Sequence, residues 1–371
     1  MRKYWPSSLR GPRRLVLLIV TGALLLGGLA LWSRPRFAQS QNPLITTPVL
    51  ALEGLAANSL YYNGVAREWL LRQRPDLLAA ADRAGDEERL RAFGQAVVNP
   101  KLFRQLDRQL RFDVLLLVGD PTQYRALLDH LMETKDFTLR YVDHTSFVFA
   151  RGATEPWTPA ALQSIRTRLT GAPRRDVATF LALTGAKLLA IRRATEGNAL
   201  LDEAVALDPR IPEAWSGRAL YHMERGEWAP ALASADRALS LEKAHLGALS
   251  VKTQIFYATK RFNEAYALSQ QLLARLPDDP NILFKHAQIA HEAHAYKAEI
   301  EVLRKLIALA EKNERPTTGY RLYLAQAYTS AGQAQPAIEA FRQVLTDPTL
   351  PADQREFASD SLQRIKSRSG L

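Results

Sequence analysis

Between residues 178 and 348 the bulky, small and polar positions of the chain recur at a step of 34. With Pro212 as the start of a unit, other starts fall at Ala178, Leu246 and Pro280. Three residues in stand Leu181, Trp215, Leu249 and Leu283; seven in stand Gly185, Ala219, Thr253 and Ala287. Sixteen in come Trp228, Phe262 and Tyr296, and nineteen in come Gly197, Ala231 and Ala265. A fifth unit, LYLAQAYTSAGQAQPAIEAFRQVL, fits after an insertion of about four residues around 312–317, which places Ala325, Tyr328, Gly332, Ala337 and Phe341. The pattern predicts five antiparallel helix pairs. The small residue on the first helix lets the second approach, and the alanines on the second let the next pair stack. Gly226 and Gly332 stand where a left-handed turn joins the two helices. Residues 352–368 (ADQREFASDSLQRIKSR) are amphipathic and more polar, as a capping helix would be, and residues 158–177 are expected to form a connecting helix.

The period differs upstream. Residues 78–96 and 100–110 have helical spacing, whereas DVLLLVG (Asp113 to Gly119) is a short apolar run suited to a buried strand. DPTQYRALLDHLMET follows, with Asp120 as N-cap and Pro121 at the first helical position. FTLRYVD (137–143) and TSFVFAR (145–151) alternate apolar and polar side chains and predict a hairpin turning at Asp143–Thr145. Residues 56–152 thus predict a small α/β domain in the order helices, strand, helix, strand, strand.

The N-terminus contains LVLLIVTGALLLGGLALW, 15–32, uncharged over 18 residues. As a helix it would span about 27 Å, close to the bilayer core. Five basic residues precede it and Trp32 closes it, and no clear cleavage site stands before Ala38, which predicts an uncleaved transmembrane signal anchor, with a cleaved signal peptide as the competing reading. The basic tail, 1–14, is then expected in the cytoplasm, with everything after Trp32 periplasmic, although Arg34 and Arg36 lie on the outer flank. Residues 33–55 read as a linker. The anchor also alters the meaning of the net charge of +11: residues 1–36 carry seven basic residues and no acid, so the other 335 carry only +4. No nucleic-acid footprint is expected from that distribution. The absence of cysteine excludes disulfides and thiolate metal sites.

The 34-residue period with W…G/A…Y…G-x-aromatic-x-x-A…A…P resembles the tetratricopeptide repeat (TPR) over about 170 residues. The expected fold is therefore mostly α: a TPR α-solenoid, preceded by the small α/β domain and the N-terminal transmembrane helix. The resemblance implies a concave groove lined by the first helix of each pair and a protein partner lying in it. The fifth, ninth and twelfth places of the units share one stripe. They hold Ser216, Leu220 and Met223; Ser250, Gln254 and Tyr257; Phe284, Gln288 and His291; and Leu322, Gln326 and Thr329. Gln254, Tyr257, Phe284, Lys285, Gln288, His291, Tyr323 and Gln326 form a mixed polar and aromatic set able to hold a peptide or helix, and are the expected partner-binding residues. The family's Lys/Asn clamp for a C-terminal carboxylate is missing from its positions, which are Ser216, Leu220, Ser250, Gln254, Phe284 and Gln288 here.

Candidate chemistry is sparse. Gly119-Asp120-Pro121 lies at a strand's C-terminal end, where open sheets bind ligands, but no Gly-rich phosphate loop or G-x-S-x-G elbow accompanies it. Asp143 and His144 are expected as a turn aspartate and an exposed histidine. His291 and His294 are three apart on a helix, with His286 off their face; surface histidines are expected rather than a metal site. No catalytic residue, cofactor or metal is expected. RQRPDLLAAADRA through FDVLLLVGDPTQYRALLDHL to LRYVDHTSFVFARG resembles the soluble α/β domain of bacterial protein-mannosyltransferase-type membrane glycosyltransferases, over about 90 residues. That resemblance carries no catalytic residue over, because the transfer chemistry of the family sits in its multi-spanning part. The expectation is a membrane-anchored, non-enzymatic interaction scaffold of the cell envelope. The alternative is an accessory subunit of an envelope glycosyltransferase or glycan pathway.

Overall fold

A computed structural model describes residues 59–79, 85–119, 121–134, 136–152, 157–158, 162, 166–167, 169–312, 316–348 and 350–369. The predicted tail, anchor and linker, Asp120 and much of the connecting segment lie outside these residues. No helix among the described residues is long and apolar enough to cross a membrane. The chain divides into two compact units, one ending at Val251 and one running from Lys252 to Leu371.

The first unit opens on strand β1 (Leu60–Tyr62) and helices α1 (Gly64–Gln73), α2 (Glu87–Ala96) and α3 (Pro100–Leu110). Then come β2 (Val114–Val118), a 3-10 turn (Pro121–Tyr124), α4 (Arg125–Glu133), β3 (Phe137–Val142) and β4 (Ser146–Arg151). The sheet order is β1-β2-β4-β3, with β1 parallel to β2 and the other neighbours antiparallel. The expected hairpin is present. Its register shifts between Leu139 and Tyr141, which lets Phe137, Leu139 and Val142 all be buried while Arg140 points out. Strand β1 and helix α1 were not foreseen. The helix expected over 78–96 begins only at Glu87, capped by Asp86, and the helix expected from Pro121 begins at Arg125 after the 3-10 turn.

Asn63 explains how so short a strand holds its place. Its side-chain amide donates to Val118 O at 2.6 Å and accepts from Val118 N at 3.0 Å, prolonging the parallel ladder past Tyr62. The same oxygen caps α1 through Ala66 N. Tyr61 fixes one face of the sheet, its ring packed 5.0 to 5.2 Å from those of Phe93, Phe103 and Phe112. Two helix pairs complete the first unit: α5 (Arg174–Ala190) with α6 (Ala194–Leu207), and α7 (Pro212–Glu224) with α8 (Trp228–Leu241).

Helix α9 (Leu246–Ala258) straddles the division. The second unit continues with α10 (Phe262–Arg275), α11 (Pro280–Glu292), α12 (Tyr296–Lys312), α13 (Thr318–Ser330), α14 (Ala334–Leu345) and α15 (Ala352–Ser369). First helices start at 212, 246 and 280 and second helices at 194, 228, 262 and 296, so both keep the 34-residue step of a tetratricopeptide array. The last pair starts at 318 and 334, each 38 after its predecessor, as the insertion requires.

Two devices recur among the pairs. The first is close approach. A Cβ on Gly185 would lie 2.8 Å from Gly197 O, and one on Gly197 equally close to Gly185 O. Ala219 with Ala231 and Ala325 with Ala337 hold the same places and are wholly buried. The second is a left-handed residue at the same position of every pair: Arg192 (φ 63°), Gly226 (75°), Lys260 (63°), His294 (59°) and Gly332 (73°). The next residue's N–H bonds back five residues in each case, Arg193 to Leu188, Glu227 to His222, Arg261 to Phe256, Ala295 to Ala290 and Gln333 to Tyr328, at 2.8 to 2.9 Å. This closes the orphan carbonyls of the first helix five times in the same way.

Gly185→Ala is expected to cost about 1–3 kcal/mol, since backbone stands where the methyl would go. Lys260→Gly is expected to gain about 0.5–1 kcal/mol by relieving a left-handed non-glycine residue, net of the added chain entropy. Denaturant unfolding of the full-length chain checks both signs.

Candidate functional site

The expected partner-binding residues all lie in the second unit, on α9, α11 and α13. Tyr257, Phe284, Lys285, Gln288, His291, Tyr323 and Gln326 are half-buried, while Gln254 is 7% exposed and belongs to the interior. The corresponding first-unit positions are closed: Ser216, Leu220 and Met223 are all buried. The open polar and aromatic face is thus confined to the later pairs. Its centre is Phe284, whose ring lies 5.1 Å from Tyr323, edge to face, and 5.7 Å from Tyr320. Tyr257 sits near enough to Glu292 and Tyr323 that burial first, and those neighbours second, push its phenol above the ordinary range. Burial also raises Tyr323 and lowers Lys285.

The three histidines of the fourth pair do not share a site. His286, expected at the surface, is 2% exposed. The Ser269 hydroxyl donates to Tyr266 O, so its oxygen accepts from His286 Nδ1 at 2.8 Å, and the ring stacks 5.2 Å from Tyr266. Burial pushes its pKa down to about 4. His291 donates through Nδ1 to both oxygens of Glu299 at 3.1 Å, and this hydrogen bond raises its pKa. His294 accepts from the Tyr296 hydroxyl at 2.7 Å. Glu299 was missed, although the repeat pointed to it: it stands nineteen residues after Pro280, where the other pairs have Gly197, Ala231 and Ala265. A 3%-exposed carboxylate in the close-approach position requires a donor, and His291 supplies it.

In the first unit the C-terminal end of β2 is already occupied. Gly119 O accepts from Tyr124 Oη at 2.9 Å and from the buried Lys187 Nζ of α5 at 2.9 Å, with that ammonium 4.7 Å above the Phe147 ring. Asp143 is fully engaged by the hairpin turn, accepting from the amides and hydroxyls of Thr145 and Ser146 and from Tyr141 Oη. His144, expected to be exposed, is 3% exposed with its ring 5.1 Å from Phe180. Sheet and first helix pair meet there, and the meeting buries both turn residues.

Glu213, Glu242 and His245 bring one ligand atom each within 4.8 Å of the others. Nδ1 of His245 accepts from Ala248 N at 3.2 Å as the cap of α9, which leaves the ring proton on Nε2. A ring in that tautomer donates toward a carboxylate; it has no lone pair left for a cation.

Glu224, the last residue of α7, is the remaining perturbed group. Its Oε1 is buried with no hydrogen-bond donor among the described residues. Burial raises its pKa to about 7, against a smaller opposing effect from Arg125 and Arg192. Because the folded value lies above the ordinary 4.5, the protonated form favours folding; this stability is fully present below about pH 4.5 and is lost as pH rises from there through about 7. Glu224→Gln is expected to match the parent near pH 4 and to exceed it by about 1–3 kcal/mol at pH 8, as read from urea midpoints. A gap independent of pH would refute this ionisation.

No protein-family model and no curated protein matches the sequence. Among solved structures the chain is similar to MamA (41-end) from Desulfovibrio magneticus RS-1, at 18% identity and a TM-score of 0.39, covering 46% of this chain and 94% of that one. It is similar to TTC0263, a thermophilic TPR protein in Thermus thermophilus, at 19% identity and a TM-score of 0.34, covering 50% and 99%. It is also similar to YrrB, a TPR protein with an unusual peptide-binding site, at 11% identity and a TM-score of 0.44, covering 54% and 98%. Likeness at this level carries no functional weight. The tetratricopeptide architecture stands on the 34-residue step, the close-packed small residues and the five matching turns.

Proposed function

We propose that the chain is a membrane-anchored, non-enzymatic scaffold of the cell envelope whose tetratricopeptide pairs bind a peptide or helix of a protein partner. The observation that carries this is the face of Tyr257, Phe284, Tyr323, Gln288 and Gln326. Large side chains remain half-buried there beside amides, on the helices that line the ligand side of such repeats. Aromatic side chains left partly open cost solvation that a partner would recover. The anchor is supported by the sequence: an uncharged 15–32 run behind a basic tail. In this reading the tail lies in the cytoplasm, and the α/β domain and helix pairs lie on the outer side of the inner membrane.

Co-purification of the solubilised full-length protein, compared with a Tyr257→Ala, Phe284→Ala, Tyr323→Ala variant, tests the groove. A partner held by the parent and lost from a variant of unchanged helicity is the expected outcome; a partner held equally by both would refute it. A glycosyltransferase in that role would make the scaffold an accessory subunit of a glycan pathway. Protease protection of the basic tail in spheroplasts, with digestion of the remainder, is expected from the topology; the reverse pattern would refute it.

A further inference from the structure

Lys285 is the odd residue of this face. It follows Phe284 on α11 and precedes Gln288 by one turn, so it shares their side of the helix. It is half-buried, and it makes no hydrogen bond, ion pair or ring contact among the described residues. Three other cations of the second unit reach carboxylates: Lys305 pairs with Asp278 at 2.9 Å, and Arg261 and Arg321 pair with Glu264 and Glu311. The acid nearest along the same side of the helix is Glu292, seven residues and about 10 Å away. An ammonium withdrawn from water without a counter-ion is costly, and burial holds this one below its ordinary pKa. A carboxylate brought by a ligand would remove that cost.

We infer that Lys285 is the point at which the groove reads its partner, and that it takes the side-chain carboxylate of an aspartate or glutamate in an extended segment whose adjacent apolar or aromatic residue packs on Phe284 and Tyr323. This rests on the groove reading above and adds the chemistry of the ligand. A chain-terminal carboxylate suits the place less well. It needs several converging donors, whereas Lys285 is a single cation, and Ser250, Gln254, Phe284 and Gln288 supply no second one. Glu292 further along α11 disfavours a second acid at that end, so the acid–apolar pair has one direction in which to lie.

The test uses two display libraries of short random peptides, one with blocked ends and one with free C-termini. Each is panned against the full-length protein, Lys285→Met, Lys285→Glu and the triple alanine variant. The expected result is enrichment, from the blocked library, of Asp or Glu next to a large apolar residue. A synthetic peptide of that sequence should bind Lys285→Met and the triple variant roughly tenfold more weakly than the parent, and its Asn or Gln analogue should lose as much on the parent. Lys285→Glu should shift the preference to Lys or Arg. Peptides lost on the triple variant but indifferent to Lys285 and to their own acid would overturn the assignment of Lys285 and leave the groove standing. Enrichment confined to free C-termini would overturn it as well. Peptides insensitive to every variant, or none at all, would remove both the groove and Lys285. Removing an unpaired, half-buried ammonium should not unfold the chain; if Lys285→Met nonetheless fails to fold, equal binding of the acidic peptide and its amide analogue to the parent overturns the inference.

Discussion

Everything in the repeats depends on how closely two helices can lie. Gly185 and Gly197 place backbone against backbone, and the alanine pairs 219/231 and 325/337 do nearly the same. That distance fixes the other variables. With the helices so close, the link between them must be short, and a short reversal of this kind uses one left-handed residue and a back-bonded amide. The chain meets the requirement five times, twice with glycine and three times with Arg192, Lys260 and His294 despite their side chains. The persistence of the turn where the residue is unfavourable shows that packing, rather than local propensity, dictates it.

The fourth pair departs from this scheme in ways that matter for the open face. Glu299 takes the small residue's place and commits His291 to neutralising it. His286 is drawn inward onto Ser269 and Tyr266. With both histidines engaged, the remaining polar groups of α11 on that side are Lys285, Gln288 and Glu292, beside the aromatic cluster of Phe284, Tyr320 and Tyr323. The character of the face therefore follows from replacements in the core of one pair as much as from residues at the surface.

Most of the fold could be read from the sequence because its signals are periodic. The 34-residue step, the turn glycines and the alternation of 137–151 each survive a local error, since the pattern repeats. What escaped were single, non-local events. Strand β1 is only three residues long, and is held by Asn63 reaching Val118, 55 residues away. The burial of His144 depends on Phe180 arriving from α5. Gln254 was placed on the right helix, yet ends up inside. Helical spacing gives the side of a helix to within a residue, but it cannot say how far a neighbour's side chains close over it. The residues expected to bind a partner are half-buried neighbours apart from Gln254, while the side chains that pack around them, Glu299 above all, were visible only as an exception in the repeat.

The contact between Lys187 and Gly119 has a further bearing on how such a protein can change length. Lys187 belongs to the first helix pair by position and to the α/β domain by its bonds, as do Phe180 against His144 and Ala190 O against Arg125 of α4. The first pair is thus packed against the α/β domain and cannot be deleted or duplicated without uncovering the hairpin turn and the carbonyl that ends β2. Gain or loss of repeats during evolution is accommodated where pairs contact only other pairs, so the open face is free to lengthen or shorten while the joint with the sheet stays fixed.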